Sequence, residues 1–195
     1  MLRELIRQNR SCRRFYQDHP ISLKTLHELV DLARLSASAA NLQPLRYLLS
    51  SDPEKNELIF QCLGWAGYLP EWPGPDPGER PSAYILMLAD ADIAQDVGFD
   101  CGIAAQSMLL GAREQGLAGC MIASINRNKI RGFFDIPLKY NIPLAIAMGK
   151  PKESATIEPV GPDGAIKYWR DTQGGHHVPK QDLSTLIWRA FGAAK

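Results

Sequence analysis

The chain has 195 residues, 45% of them hydrophobic and 22% charged, with 22 Lys and Arg against 21 Asp and Glu for a net charge of +1. That length supports one domain with a substantial core, and the even charge balance excludes a polyelectrolyte surface for nucleic acid or anionic membrane. Cys12, Cys62, Cys101 and Cys120 lack CxxC spacing, so neither a zinc site nor a disulfide framework is expected.

A short helix is expected over Leu2 to Gln8, with Leu2, Leu5 and Ile6 on one side. Ser22 is an N-cap for a second helix reaching about Leu35, striped by Leu23, Leu26, Leu29, Val30 and Ala33. Leu45 to Leu49 reads as a strand, and Asp52-Pro53 opens a third helix with Leu58, Ile59 and Cys62 inward. Residues 65–81 carry five prolines and three glycines among Trp65, Tyr68, Leu69 and Trp72. That is too broken for a helix and too apolar for a solvated linker, so a packed loop over a pocket is expected.

Ser82 to Ala89 is nearly all apolar and reads as a central strand, too short to span a bilayer. Asp96 to Gln115 is the longest expected helix, small or apolar on most faces around Gly102 to Leu110. A strand over Gly119 to Ile125, a short helix over Arg127 to Phe134 and a strand over Ile142 to Met148 follow. Gly161 to His177 is turn-rich, and Leu183 to Phe191 is expected to close the chain as a helix. The class is α+β: a mixed sheet flanked by helices, in a single domain over 1–195 with a C-terminal extension at 154–180. No Gly-x-Gly-x-x-Gly follows the first strand, so a Rossmann domain is not indicated. The opening Met1 to Arg7 is charged and has no apolar signal core, which makes a reduced, cytoplasmic setting the expectation.

Three stretches are candidates for chemistry. Arg10, Ser11 and Arg13 offer two guanidinium groups and a hydroxyl, which suit a phosphate, though the same residues also make a solvated basic turn. Ser38, Asn41 and Gln43 lie among Ala37, Ala39 and Ala40, where the amides can bond the edge of a flat heterocycle or simply cap a helix. The Gly119 to Ser124 strand can present backbone N–H groups or be plain core. His19, His27, His176 and His177 have no carboxylate spaced with them for a metal site, and no Ser/His/Asp triad stands out. Such a chain suits an enzyme whose cofactor performs the chemistry.

In order, the stretches resemble the FMN-dependent nitroreductase family. Arg10-Ser11-Cys12-Arg13-Arg14-Phe15 is similar to its Arg-Arg/His-Ser-x-Arg/Lys-x-Phe, with Asn9 in place of the first basic residue. Ala37 to Leu45 is similar to its Ala-Pro-Ser-x-x-Asn-x-Gln-Pro-Trp, without that Pro and Trp. Asp100 to Gln106 and Gly116 to Gly119 follow its central-helix pattern, and Gly149-Lys150-Pro151 resembles its Gly-Tyr-Pro ending.

The resemblance implies a two-fold homodimer with FMN in the interface. Arg10, Ser11 and Arg13 would come from one subunit, and Ser38, Asn41 and Gln43 from the other. N–H groups at Ala123 and Ser124 would face flavin N5 and O4, and Arg170 would be the late basic residue on the phosphate, ahead of Lys180. It implies hydride uptake from NADH or NADPH and a small electron-poor acceptor, a nitroaromatic or quinone, in a ping-pong cycle, with no nucleic acid or membrane partner. Other FMN chemistry on the same scaffold, such as flavin fragmentation or reductive dehalogenation, and a non-enzymatic flavin-binding dimer remain open alternatives.

Overall fold

A computed structural model describes residues 2–192, so Met1 and residues 193–195 of the expected domain lie outside the described residues. The chain divides into two compact units, Met1–Glu153 and Ser154–Lys195.

The larger unit runs α1 (Leu2–Gln8), β1 (Phe15–Tyr16), α2 (Leu23–Arg34), a 3-10 turn (Ala39–Asn41), β2 (Leu45–Ser50), α3 (Pro53–Phe60), β3 (Ala83–Asp90), α4 (Gly98–Glu114), β4 (Ala118–Ile122), α5 (Arg127–Phe133) and β5 (Tyr140–Pro151). Ser22 caps α2, its Oγ accepting from the Thr25 N–H at 3.0 Å, and Asp52 caps α3 ahead of Pro53. β5 pairs with β3 on one side and β4 on the other, β2 pairs with β3, and β1 joins the end of β5. All these pairings are antiparallel.

Every side chain of β3 is buried, and the period of two sorts them between two cores. Ala83, Ile85, Met87 and Ala89 pack with Leu26 and Leu29 of α2 and Ala105, Met108 and Leu109 of α4. Tyr84, Leu86 and Leu88 pack with Ile59 of α3 and Ile130 of α5. The sheet is therefore covered on both faces, which explains the unbroken apolar run in the sequence. Gly111 lets α2 approach α4: a Cβ there would meet Leu32 Cδ1 at 2.2 Å.

The smaller unit contains β6 (Ala155–Pro159), β7 (Trp169–Arg170), β8 (His176–Lys180) and α6 (Leu183–Leu186). β8 pairs parallel with β6 and antiparallel with β7. The closing helix expected over Leu183 to Phe191 is corrected to the single turn of α6. Leu183, Leu186, Trp188 and Phe191 are exposed there, and no packed apolar face extends the helix. β1 and β7, two residues each, were too short for a period to register, and β6 and β8 were missed because their half-exposed polar residues and prolines write no apolar alternation.

Candidate functional site

The Arg10–Arg14 loop is fastened to the sheet. The Cys12 N–H donates to Gly119 O of β4 at 3.0 Å, the Phe15 N–H to Glu79 O at 2.9 Å and the Lys152 N–H to Arg14 O at 2.9 Å. The first and third candidate stretches are thus neighbours in one unit. Gly119 is required at their junction, because a Cβ there would lie 2.7 Å from Leu109 Cδ2 and 2.8 Å from Ala147 O.

The cations of this loop differ in their partners. Arg10 donates from Nη2 to Ile6 O at the end of α1, 2.7 Å away, while its Nε is buried with no acceptor among the described residues. Burial draws the Arg10 pKa down from its ordinary value, yet a guanidinium stays charged. Arg13 is buried at 9% exposure, and its backbone N–H donates to Glu153 Oε1. Arg14 pairs with Glu79, through Nε to Oε2 and through Nη2 to Oε1 at 2.7 Å. Lys152 reaches the same carboxylate at 2.9 Å. These partners hold Glu79 down at about 2, the hydrogen bond from Arg14 first, with burial opposing. Ser11 is exposed beside the buried Cys120. Burial raises the Cys12 thiol to about 12 and also raises Cys120, so neither is a thiolate.

The 38–43 turn stands on α4. Asp100, buried in the first turn of that helix, accepts from Ser38 Oγ at 3.1 Å and from the Ala39 N–H at 2.8 Å. Ser38 Oγ in turn accepts from the Gln43 N–H at 2.9 Å. The only hydroxyl proton of Ser38 is thereby committed to the turn. Ala40, Asn41 and Gln43 have φ of 48°, 55° and 52°, left-handed values that Asn tolerates and Ala does not favour. Such clustered strain marks functional sites. It holds Asn41 and Gln43 exposed, and Gln43 lines a cavity of about 210 Å³ together with Ser38, Tyr47 and Asp100 among others.

Ala123 and Ser124 follow β4 and are exposed. The Gly64 N–H donates to Ser124 O at 2.8 Å, and Arg127 Nη2 donates to Ala123 O at 3.2 Å. This contact brings the start of the Pro-rich loop to the end of β4: a Cβ at Gly64 would lie 2.5 Å from Ser124 Oγ. Arg170 lies in β7 of the smaller unit.

The end of α1 with Asn9, and the segment that leads into the 38–43 turn, hold different faces of α4. Asp100 serves the 38–43 turn and Ser107 bonds Ser36 at 2.7 Å. Gln106 meets Asn9 at 3.5 Å and Arg113 meets Gln8 at 3.3 Å. Each pair is seven residues apart, and the two rows are offset by about 100° around the helix. Between and beside them Phe99, Gly102, Ile103 and Gln106 are exposed, whereas Ala104, Ala105, Met108 and Leu109 face the core.

Sequence reasoning passed over Glu79 and Glu153, because lone acids in loops carry no spacing signal. Asp100 stood within a matched motif, but its service to Ser38 is a contact across 62 residues that only the fold creates.

A model of the nitroreductase family matches residues 6–69 and 76–150. A Cr(VI) reductase of a Pseudomonas species is 29% identical over 180 residues, covering 85% of this chain and 73% of that protein. A protein of Archaeoglobus fulgidus provisionally named NADH dehydrogenase/NAD(P)H nitroreductase is 25% identical over 148 residues, covering 72% of this chain and 80% of its own. The solved structure of an FMN-dependent nitroreductase from Clostridium difficile shares the fold with a TM-score of 0.65 at 24% identity, covering 77% of this chain and 87% of that one. With the family model spanning most of the larger unit, the chain belongs to the nitroreductase family.

Proposed function

We propose that this chain is an FMN-dependent oxidoreductase that takes electrons from NAD(P)H and passes them to an electron-poor acceptor of nitroaromatic or quinone type, working as a two-fold homodimer. The observation that carries the reading is the placement of the Arg10–Arg13 loop against β4 while the strained 38–43 turn stands on another face of α4. Each half supplies part of a flavin site. The exposed stripe of α4 at Phe99 and Ile103 is the surface on which a second copy would join them.

The residues fit the group. The buried Arg10 Nε–H lacks an acceptor among the described residues, which a phosphate oxygen would provide. Ser11 adds an exposed hydroxyl. Asn41 and Gln43 carry donor and acceptor atoms for the edge of a flat ring, and the backbone at Ala123 and Ser124 suits its other edge. When bound, FMN supplies hydride uptake from the nicotinamide and electron release to the acceptor in a ping-pong cycle. The side chains would act by holding, orienting and excluding water.

The test is a visible spectrum of the purified protein, followed by anaerobic addition of NADH or NADPH and then of a quinone. Bound FMN that bleaches with nicotinamide and recovers with quinone is the expected result. A colourless protein that takes up no added FMN overturns the reading. A yellow protein that neither nicotinamide bleaches is a flavin-binding dimer and not this enzyme.

A further inference from the structure

Two carboxylates, Glu79 and Glu153, stand among four cations of the loop region. Glu79 is taken by Arg14 and Lys152. Glu153 is placed by β5: Pro151 pairs with Phe15, and the Lys152 N–H bonds Arg14 O, so the next residue runs alongside Arg13. Its Oε1 accepts from the Arg13 N–H. Burial raises the Cys120 thiol, with the Arg13 charge opposing that rise and the Glu153 charge adding to it, so the two opposite charges act on one buried sulfur. Arg13 is 9% exposed, and a guanidinium buried to that degree without a counter-charge is costly. Arg10 has no carboxylate partner among the described residues: its side chain bonds only the Ile6 carbonyl.

We propose that Glu153 is the positioning residue of this loop, fixing the Arg13 backbone and balancing the buried Arg13 charge, so that the pull on an anion comes from Arg10. The proposal rests on the flavin reading for the identity of the anion, the phosphate of FMN, but not for the role of Glu153 in the loop. The loop's anion affinity is then set below what its count of arginines suggests, and Glu153→Gln changes it without losing an acceptor oxygen for the Arg13 N–H.

The experiment compares FMN with riboflavin, which lacks the phosphate, on full-length wild type, Glu153→Gln, Glu153→Ala and Arg10→Ala. The ratio of riboflavin Kd to FMN Kd reads the phosphate alone. Arg10→Ala is expected to lower that ratio by about tenfold or more, the worth of one charge-assisted hydrogen bond. Glu153→Gln is expected to raise it severalfold, because the Arg13 charge is no longer balanced.

Amide hydrogen exchange at Arg13 is the second readout. It is expected to quicken by about tenfold or more in Glu153→Ala, the worth of one lost hydrogen bond, and to stay slow in Glu153→Gln. A ratio that is unchanged or lower in Glu153→Gln overturns the charge-balancing role, and unchanged exchange in Glu153→Ala overturns the positioning role. If wild type binds neither flavin, the flavin reading fails by itself, and the exchange result still decides what Glu153 does.

Discussion

In the larger unit β3 buries all eight of its side chains, and two apolar cores close over the sheet from opposite sides. In the smaller unit the one buried residue among those described is His176, and the visible ties around its neighbour are polar. His177 Nδ1 meets Glu158 Oε1 at 2.5 Å, its Nε2 meets Asp171 Oδ2 at 3.0 Å, and its ring stacks on Trp169 with centroids 4.0 Å apart. The first unit is held chiefly by area removed from water, which is insensitive to pH, and its Arg14–Glu79–Lys152 pairing is lost only in acid, as Glu79 protonates towards about 2. The second leans on charges, which are not. The match to the nitroreductase family ends at residue 150, within the first unit, so the apolar scaffold is the shared part.

The contrast breaks most readily at the core. Leu29→Ala removes a fully buried side chain from the α2–α4 contact and is expected to destabilise the larger unit by about 2–5 kcal/mol. Denaturant unfolding should show a lower midpoint with little change in its dependence on pH. A shift under about 1 kcal/mol would mean that the packing collapses around the cavity.

Next in size is cofactor affinity. Arg10→Ala is expected to weaken FMN binding by about 1.5–3 kcal/mol, the range for a hydrogen bond to a charged group. Calorimetric titration measures it. An equal loss in Arg14→Ala would show that the Arg14–Glu79 pair also shapes the pocket, since Arg14 spends its guanidinium on Glu79.

The outward face of α4 supplies the third test. Ile103→Asp puts a charge on the exposed stripe and should shift sedimentation from dimer towards monomer, with flavin released by mass action. Ala105→Trp does not test that interface: Ala105 is wholly buried in its own core, so overpacking would act there. A dimer untouched by Ile103→Asp would move the interface elsewhere.

What the sequence shows of this molecule follows the same division. The helices and strands of the larger unit were legible because burial on two faces writes long apolar runs, as in Ala83 to Asp90, and because Ser22 and Asp52-Pro53 cap where capping chemistry predicts. The three candidate stretches were legible as residue types. Their partners were not, since the Ser38–Asp100 and Arg13–Glu153 bonds join residues 62 and 140 apart. In the smaller unit β7 is two residues long, and His176-His177 gave no hint of Glu158 and Asp171, because no fixed spacing links a clamped histidine to its acids.

The smallest expected effect sharpens the comparison at that clamp. Hydrogen bonds donated to Asp171 first and Glu158 second raise the His177 pKa above its usual 6.5, and the same contact with His177 lowers that of Asp171 below its usual 3.8. A raised histidine gives its full stabilisation below the unfolded value and loses it as pH rises through the folded one. A lowered carboxylate gives its stabilisation above its unfolded value and loses it as pH falls through the folded one. The β6–β8 sheet is therefore expected to be tightest between those two usual values, loosening above 6.5 as the imidazolium deprotonates and in acid as Asp171 protonates. The groups are solvent-accessible, so salt should weaken the effect. Hydrogen exchange at β8 amides, corrected for intrinsic rates across that range, measures it, and the stacked Trp169 offers a fluorescence reading of the same titration. His177→Asn should flatten both profiles while the unfolding midpoint of the larger unit stays where it was. A β8 profile that is already flat in wild type would show that strand pairing alone holds the smaller unit, and the contrast between an apolar and an electrostatic half would fall.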